Sequence, residues 1–354
     1  MLEARNRLLV VSEARPDTWM RGAYQALVLE SRRQIAEYVN ADVEDIVLVE
    51  NTSTAVNAVL RSLPLQAGDT LVDLSTAYAM NRAVVEVVRS RSGVQTRTVQ
   101  LQFEGGRRAP TDAQGRGVVA ALEAVLDEGP GRAKLALLDA ISSVPCVRFP
   151  LEAMLEACKA RGVPAFVDAA HSLGQQPVDL RDLERRGCGY WVSNAHKWLG
   201  APRGCAVLWV AKAYQASVLP TVVSSSFFQP GPVDWGSEFQ NRHVYTGTRD
   251  YTTFCVLPDC LAFRRWVGEA AITKHLHALA SFAAQHLAQA WGTEALLPDG
   301  SADEPGHAAM VNVRLPLASL PQGRRLQQLL RQRFDMELLV FQLRVSCFLR
   351  TGCA

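Results

Sequence analysis

Short apolar runs alternate with segments of helical periodicity along the first 210 residues. The run at 46–49 is wholly apolar, and the segment after it repeats apolar residues at helical spacing, at Val56, Val59, Leu60 and Leu63. Further strand-like runs lie at 70–74, 94–101, 134–139, 164–168, 190–193 and 205–210. Helical spacing recurs at 80–90, 115–128 and 151–161. Short buried strands separated by amphipathic helices predict an α/β fold with a mostly parallel central sheet.

Polar residues follow several of these strand-like runs. Ligands bind at the carboxyl ends of the strands in sheets of this kind. The residues that fall at those ends are Asn51 to Thr54, Tyr78, Ser142, Asp168 and Ser193. The pattern therefore predicts a ligand site at this edge of the sheet.

The pattern changes after residue 210. A loop rich in Ser, Pro and Gly is predicted at 224–235, a largely helical stretch at 259–291 and a linker at 298–306. A strand at 310–315, a helix at 324–334 and a strand at 338–346 complete the chain. We therefore expect a large α/β domain at 1–255, whose first thirty or so residues are peripheral, and a smaller α+β domain at 256–354 that is truncated.

Composition narrows the classes of function. The chain has 354 residues, 48% of them hydrophobic, and a net charge of +2, which gives no support for nucleic-acid binding. No apolar stretch reaches the roughly 18 residues of a membrane span. The eight cysteines form no C-x-x-C pair, and the sequence contains no cluster of metal ligands. We expect a cytoplasmic protein with reduced cysteines and without a bound metal.

The block from 166 to 210 suits the chemistry of pyridoxal phosphate. This cofactor needs a buried carboxylate for its ring nitrogen and a lysine for its aldehyde. Asp168 ends an apolar strand and Lys197 follows another one, 29 residues later. Hydroxyl and backbone N–H donors for the phosphate are expected at the start of a helix, from Thr52-Ser53-Thr54, with Ser193 and His196 as possible additions. The ring of Tyr78 is a candidate to cover the cofactor face.

Each of these residues also has an ordinary structural interpretation. Asp168 could cap a helix, the Thr and Ser residues at 52–54 could simply begin one, and Tyr78 could be a core tyrosine. His171 could be a buried histidine, and an isolated Lys197 could be a surface lysine. The functional interpretation depends on the presence of all these residues together, in this order along the chain.

That set resembles the class V aminotransferase-like enzymes of fold type I. The resemblance is carried by the segments at 51–57, 68–69, 167–174, 177–179, 196–198 and 246–250. It covers roughly residues 30 to 255 well and the rest weakly. These segments are most similar to the isopenicillin N epimerase branch, which includes hercynylcysteine sulfoxide lyases and lies near the cysteine desulfurases.

The resemblance implies a role for each matching residue. Lys197 would form the Schiff base and move the α-proton, and Asp168 would pair with the ring nitrogen. His171 would contact the 3-oxygen of the cofactor. Thr52 and Ser53, with Ser193 or Asn194 and His196, would bind the phosphate. Thr248 would reach the phosphate of a neighbouring subunit, which implies a homodimer, and Arg344 would bind the substrate carboxylate.

The chain departs from the family pattern in two respects. Both ends look short, since an N-terminal segment and a C-terminal helix and strand are expected in relatives. In addition, the interval between Cys260 and Cys347 has no cysteine, which disfavours a desulfurase that forms a persulfide on the enzyme.

Several functions remain open at this stage. We expect an enzyme that removes the α-proton of an amino acid and then either breaks a C–S bond or epimerises the substrate. A true aminotransferase and a non-catalytic protein of the same fold are the alternatives. A nicotinamide dehydrogenase is disfavoured because the sequence lacks a G-x-G-x-x-G motif after a first strand.

Overall fold

The large sheet has seven strands, in the order β1-β7-β6-β5-β4-β2-β3. A computed structural model describes residues 1–103, 110–129, 133–224, 236–296, 307–343 and 346–351. The strands are β1 (Ile46–Val49), β2 (Thr70–Leu74), β3 (Gln95–Val99), β4 (Ala133–Asp139), β5 (Ala165–Asp168), β6 (Cys188–Ser193) and β7 (Ala206–Val210). Strand β7 is antiparallel to both of its neighbours, and the remaining pairs are parallel. The prediction of a mostly parallel α/β sheet is confirmed.

The helices of the described residues follow the predicted alternation. They are α1 (Leu2–Ala14), α2 (Pro16–Thr18), α3 (Tyr24–Tyr38), α4 (Thr52–Ser62), α5 (Ala79–Ser92), α6 (Val118–Leu126), α7 (Leu151–Ala160), α8 (Leu180–Arg185), α9 (Glu238–Val244), α10 (Thr252–Cys255), α11 (Leu257–Val267), α12 (Glu269–Trp291) and α13 (Leu320–Phe334). The Asn51 side chain caps α4 by accepting a hydrogen bond from the Thr54 amide at 2.9 Å. This cap fixes where α4 begins, directly after β1.

Strands β1, β2, β5, β6 and β7 are buried along their whole length, which explains their mostly apolar runs, whereas the edge strand β3 is polar and partly exposed. In β1, Val47 and Val49 pack into the core on one face, and Ile46 and Leu48 pack into the core on the other. A single strand therefore contributes apolar side chains to two helical layers.

The N-terminal segment packs into the main core from Trp19 onwards, whereas α1 and α2 are largely exposed. Trp19, Tyr24 and Val28 are buried in the larger core cluster. The Tyr24 ring stacks on Tyr251 with 4.2 Å between ring centroids. The sequence does not indicate this burial, because the contact depends on a partner more than 200 residues away.

A second, antiparallel sheet lies in the C-terminal part of the chain. Its strands β8 (Val311–Arg314), β9 (Leu339–Leu343) and β10 (Ser346–Thr351) are arranged in the order β8-β10-β9. Apolar residues of β8 pack with α12 in a small separate cluster. Leu257, Cys260 and Leu261 of α11, in contrast, pack in the main core. The core of the large domain thus continues past residue 255, and the proposed division of the chain at that point stays a prediction.

Two predicted irregular segments, 224–235 and 298–306, lie almost wholly outside the described residues. Within the residues that are described, no helix combines the length and the apolar character needed to cross a bilayer.

Candidate active site

A cavity of about 370 Å³ opens at the carboxyl ends of β4, β5 and β6. Its walls come from the starts of α4 and α5, from the loops after these strands and from β10. The lining residues are Asn51, Thr52, Ser53, Tyr78, Asp139, Ile141, Ser143, Asp168, Ala170, His171, Asn194, His196, Lys197 and Arg350. Nine of the residues singled out from the sequence therefore lie around one cavity: Asn51, Thr52, Ser53, Tyr78, Asp168, His171, Asn194, His196 and Lys197.

Lys197 and His171 lie side by side in this cavity. The Lys197 Nζ atom is 3.0 Å from His171 Nε2, and the Trp198 indole N–H donates to His171 Nδ1 at 3.4 Å. An indole N–H can only donate, so His171 Nδ1 accepts in this contact. Burial lowers the pKa of His171, and the neighbouring Lys197 adds to this effect, so the imidazole is neutral.

Asp168 ends β5 at the base of the cavity and is 5% exposed. Its carboxylate accepts hydrogen bonds from the Ala170 amide at 2.9 Å and from Asn81 Nδ2 at 2.5 Å. Burial raises the pKa of Asp168, whereas its two hydrogen bonds and the Lys197 charge oppose this rise. The side chain is thus a buried carboxylate with specific donors, which is the arrangement that a cationic ring nitrogen requires.

The start of α4 also lines the cavity. The Thr52 amide donates to Asn194 Oδ1 at 3.0 Å, which joins α4 to the loop after β6. Within the described part of the chain, the buried Thr52 hydroxyl has no hydrogen-bond partner. A buried hydroxyl without a partner at a helix N-terminus is a donor available for an anion.

Ser193 and His196 make contacts that support the site. The Ser193 hydroxyl donates to the Ala169 carbonyl and accepts from the Leu173 amide at 3.1 Å, so it holds the loop that carries His171. Ser193 is not among the residues lining the cavity, and of the predicted pair Ser193 or Asn194 only Asn194 reaches it. His196 lines the cavity, and its Nδ1 contacts the Cys205 carbonyl at 2.7 Å.

Three other predicted residues have different placements. Tyr78 borders the cavity and is 48% exposed, so its ring is accessible. Thr248 is exposed and does not line this cavity; its hydroxyl is 3.3 Å from the Tyr245 hydroxyl. Arg344 lies outside the described residues.

Sequence reasoning did not single out Asp139, Ser143 or Arg350. Asp139 ends β4 as Asp168 ends β5, so the same signal, an acid that closes an apolar strand, would have identified it. Arg350 enters the cavity through the pairing of β10 with β8, which local patterns do not indicate.

Two side chains connect the small sheet to the cavity wall, Arg350 on β10 and Asn312 on β8. Arg350 pairs with Asn312 in the antiparallel register. Arg350 Nη1 donates to the Ser143 carbonyl at 2.8 Å, and Asn312 bonds both the amide and the carbonyl of Cys146, at 3.1 and 2.9 Å. Both strands therefore contact the loop after β4, which fixes Arg350 at the cavity wall.

Comparison with known proteins identifies the family. The model of the class V aminotransferase family matches residues 18–319, and the chain belongs to this family. An L-cysteine desulfhydrase-like protein of Epichloe uncinata is 33% identical over 330 residues, which cover 86% of this chain and 70% of the relative. Isopenicillin N epimerase of Streptomyces clavuligerus is 30% identical over 335 residues, or 92% and 80% of the two chains.

A solved structure agrees with the fold. The cystine C–S lyase C-DES in complex with its product cysteine persulfide matches with a TM-score of 0.78 and 21% identity, over 99% of this chain and 88% of that one. The predictions of a type I fold, of the class V family and of pyridoxal phosphate as the cofactor are confirmed. The protein is a pyridoxal-phosphate-dependent enzyme of the class V aminotransferase family.

The residues of the cavity fit this cofactor. A hydroxyl without a partner and a helix N-terminus at one end suit a phosphate group. The buried Asp168 carboxylate at the base suits a protonated ring nitrogen. Lys197 Nζ lies within the same 370 Å³ cavity, where it can react with the aldehyde.

Proposed function

We propose that this enzyme cleaves the C–S bond of cysteine or of a cysteine conjugate. The observation that carries the proposal is the joint placement of Lys197, His171 and Asp168 around one cavity that Arg350 also borders. For L-cysteine the balanced reaction consumes one water molecule and yields pyruvate, ammonia and hydrogen sulfide. The similarity to an L-cysteine desulfhydrase-like protein supports this reaction class.

The protein's own residues would perform the proton transfers. Bound pyridoxal phosphate supplies an electron sink for the carbanion that is left when the α-proton is removed. Lys197 would hold the cofactor covalently and then accept the α-proton from the substrate. The neutral His171 next to Lys197 would orient this amine through the 3.0 Å contact. Asp168 would hold the positive charge of the ring nitrogen.

Release of sulfur without an enzyme persulfide agrees with the position of the cysteines. The seven cysteines of the described residues are all buried, and none of them lines the cavity. Burial raises the pKa of Cys205, Cys255 and Cys260, so these thiols are poor nucleophiles at neutral pH. We therefore favour direct elimination of the sulfur product.

We further propose that the substrate carboxylate binds Arg350. Its guanidinium is held at the cavity wall by Ser143, and a planar guanidinium binds carboxylates through paired hydrogen bonds. The resemblance to the family predicts this role for Arg344 instead, and the two assignments can be separated by experiment.

Arg350→Ala is expected to raise KM for the amino acid by about 10- to 100-fold, because a charge-assisted contact is lost. Absorption by the bound cofactor should not change. Arg350→Lys should recover part of the loss, and Arg344→Ala serves as the matched comparison. A larger rise of KM in Arg344→Ala than in Arg350→Ala would transfer the role to Arg344.

Thr52→Val is expected to weaken pyridoxal phosphate binding by about 10- to 100-fold, because a hydrogen bond to a charged phosphate is lost. Binding of pyridoxal, which has no phosphate, should change little. The matched control is Thr54→Val in the same helical turn, where the hydroxyl contacts Asn51 at 3.3 Å and does not line the cavity. Equal weakening of both ligands by Thr52→Val would contradict phosphate binding at this position.

A homodimer is also proposed, with Thr248 contacting the phosphate bound by the partner. The exposure of Thr248 in the single chain supports this arrangement, since an exposed hydroxyl is accessible to a second subunit. Light scattering of the wild type and of Thr248→Val, with cofactor titration of each, tests it. A monomer that binds the cofactor fully would contradict the proposal.

The reaction class is tested with the cofactor-loaded protein in deuterated water. L-Cysteine and S-substituted cysteine sulfoxides are supplied, and pyruvate and released sulfur compounds are measured. Pyruvate formed in equal amount to the sulfur product supports elimination. Exchange of the α-proton with inversion and without pyruvate would instead identify an epimerase, the second candidate, which the 30% identity to isopenicillin N epimerase favours. Product formation that requires a 2-oxo acid would identify an aminotransferase.

A further inference from the structure

Two carboxyl side chains lie next to each other at the base of the cavity. Asp139 ends β4, Asp168 ends β5, and the two residues are partners in the parallel register of these strands. Both line the cavity, and they are 4% and 5% exposed. Two neighbouring carboxylates that are shielded from water repel each other, so ionisation of one disfavours ionisation of the other.

The hydrogen-bond partners of the two carboxyl groups differ in kind. Asp168 accepts from Asn81 Nδ2 and from the Ala170 backbone amide, and a backbone amide can only donate. The side chain of Asp139 contacts the Thr76 hydroxyl at 2.7 Å, and a hydroxyl can donate or accept. The surroundings therefore stabilise an anion at Asp168 and accommodate a neutral acid at Asp139.

Negative charge predominates among the charged groups around Asp139. Asp168 on β5 and Asp73 on β2 add negative charge, whereas Arg82 on α5 adds a weaker positive contribution. The Arg82 guanidinium is exposed and donates to the Ser75 carbonyl. Burial is the largest cause that raises the pKa of Asp139, and the Asp168 charge is the next.

We propose that Asp139 carries a proton at neutral pH, so that Asp168 is the single anion at the base of the cavity. Asp139 is then a positioning residue that keeps the negative charge on Asp168. Whether Asp139 carries the proton depends on the chain alone. Only the effect of this proton on the charge of the bound cofactor rests on the proposed function. At alkaline pH, loss of this proton would place a second anion beside the ring nitrogen.

The first test uses the cofactor-free protein with carboxyl-labelled aspartate and infrared difference spectroscopy. The wild type at pH 7 should show the carbonyl stretch of a buried, protonated carboxylic acid, and Asp139→Asn should lack it. In Asp168→Asn the band should disappear at a lower pH than in the wild type, because the neighbouring charge is gone. Absence of the band from the wild type, or its persistence in Asp139→Asn, would overturn the proposal.

Thr76→Val provides a second variant that leaves both carboxyl groups in place. Removal of the hydroxyl contact should shift the frequency of the carbonyl stretch without abolishing it, because the vibration senses hydrogen bonding to the acid. A band that is unchanged in Thr76→Val would show that the acid is not Asp139. This result stays decisive even if Asp139→Asn folds poorly.

The second test follows the absorption of the loaded protein as a function of pH. The wild type should show a spectral change between neutral and alkaline pH that Asp139→Asn lacks, whereas the two spectra should coincide at pH 6. A spectrum of Asp139→Asn that is displaced equally at every pH would mean that Asp139 is ionised throughout, which contradicts the proposal. Failure of both proteins to bind the cofactor would contradict the proposed function and leave the infrared result standing.

Discussion

Replacement of Lys197 by alanine is expected to abolish covalent attachment of pyridoxal phosphate and to lower the rate of amino-acid turnover by about 10³-fold or more. The reason is that one amine would serve both as the attachment point and as the base that accepts the α-proton. Its position 3.0 Å from the neutral His171 gives it a defined orientation in the cavity. The visible absorption of the lysine-bound cofactor and the initial rate of pyruvate formation are the measurements.

The chain offers a direct control for this substitution, since it contains only five lysines. Lys212 lies on the surface with a side-chain exposure of 79%, and Lys212→Ala should leave absorption and rate unchanged. Borohydride reduction followed by peptide mass spectrometry should locate the reduced cofactor on Lys197 in the wild type. Full labelling at another lysine, or normal turnover by Lys197→Ala, would refute the assignment.

The fold and much of this cavity could be predicted from sequence because the relevant signals are local. Strands β2, β4, β5 and β6 of the parallel part of the sheet are short and mostly apolar, and polar residues follow at the carboxyl ends of several of them. Tyr78 and Asp168 border the cavity for this reason. A local pattern can identify the end of a strand, and parallel pairing then brings several such ends together.

The remaining features depend on contacts between distant parts of the chain. Arg350 reaches the cavity through the register of β10 against β8, and that register is not encoded in any short segment. Ser193 shows a different limit: the residue lies where predicted, at the end of β6, but its hydroxyl bonds the loop after β5. Which way a hydroxyl points depends on the backbone that surrounds it, and the sequence pattern gives only its approximate position.

The N-terminal segment illustrates how tertiary packing changes an interpretation that was based on pattern. The first thirty or so residues were expected to be peripheral. Tyr24 is nevertheless fully buried against Tyr251, and its hydroxyl donates to the Val244 carbonyl at 3.4 Å. A tyrosine combines a large apolar area with one polar atom, so its burial depends on distant partners for both the ring and the hydroxyl.

Asp168→Asn is expected to reduce turnover by about 10²- to 10³-fold and to weaken cofactor binding, because a neutral amide cannot hold the charge of the ring nitrogen. The chain should accommodate the change. Asn81 donates to Asp168, and within the described residues the Asn81 Oδ1 atom has no partner. Rotation of the Asn81 amide by half a turn would present this oxygen to the new amide N–H and restore the hydrogen bond.

The same substitution should stabilise the cofactor-free protein, and the gain should grow with pH. Burial raises the pKa of Asp168 in the folded state above the unfolded value of about 3.9. The stabilisation linked to its bound proton is therefore complete below the unfolded pKa and is lost as pH rises through the folded pKa. The variant lacks this loss, so we expect its free energy of unfolding to exceed that of the wild type by an amount that grows as pH rises.

Asp45→Asn is a control variant. It distinguishes the effect of a buried carboxyl group on the free energy of unfolding from the role of Asp168 in the active site. Asp45 is also buried, its pKa is raised to about 6 chiefly by burial, and it does not line the cavity. Its substitution should change the pH dependence of unfolding and leave turnover and cofactor affinity intact. Denaturant unfolding between pH 4 and 8, together with cofactor titration, measures both quantities for both variants. If Asp168→Asn bound the cofactor and turned over substrate as Asp45→Asn does, Asp168 would be a structural carboxylate, and the charge partner of the ring nitrogen would have to be sought at Asp139.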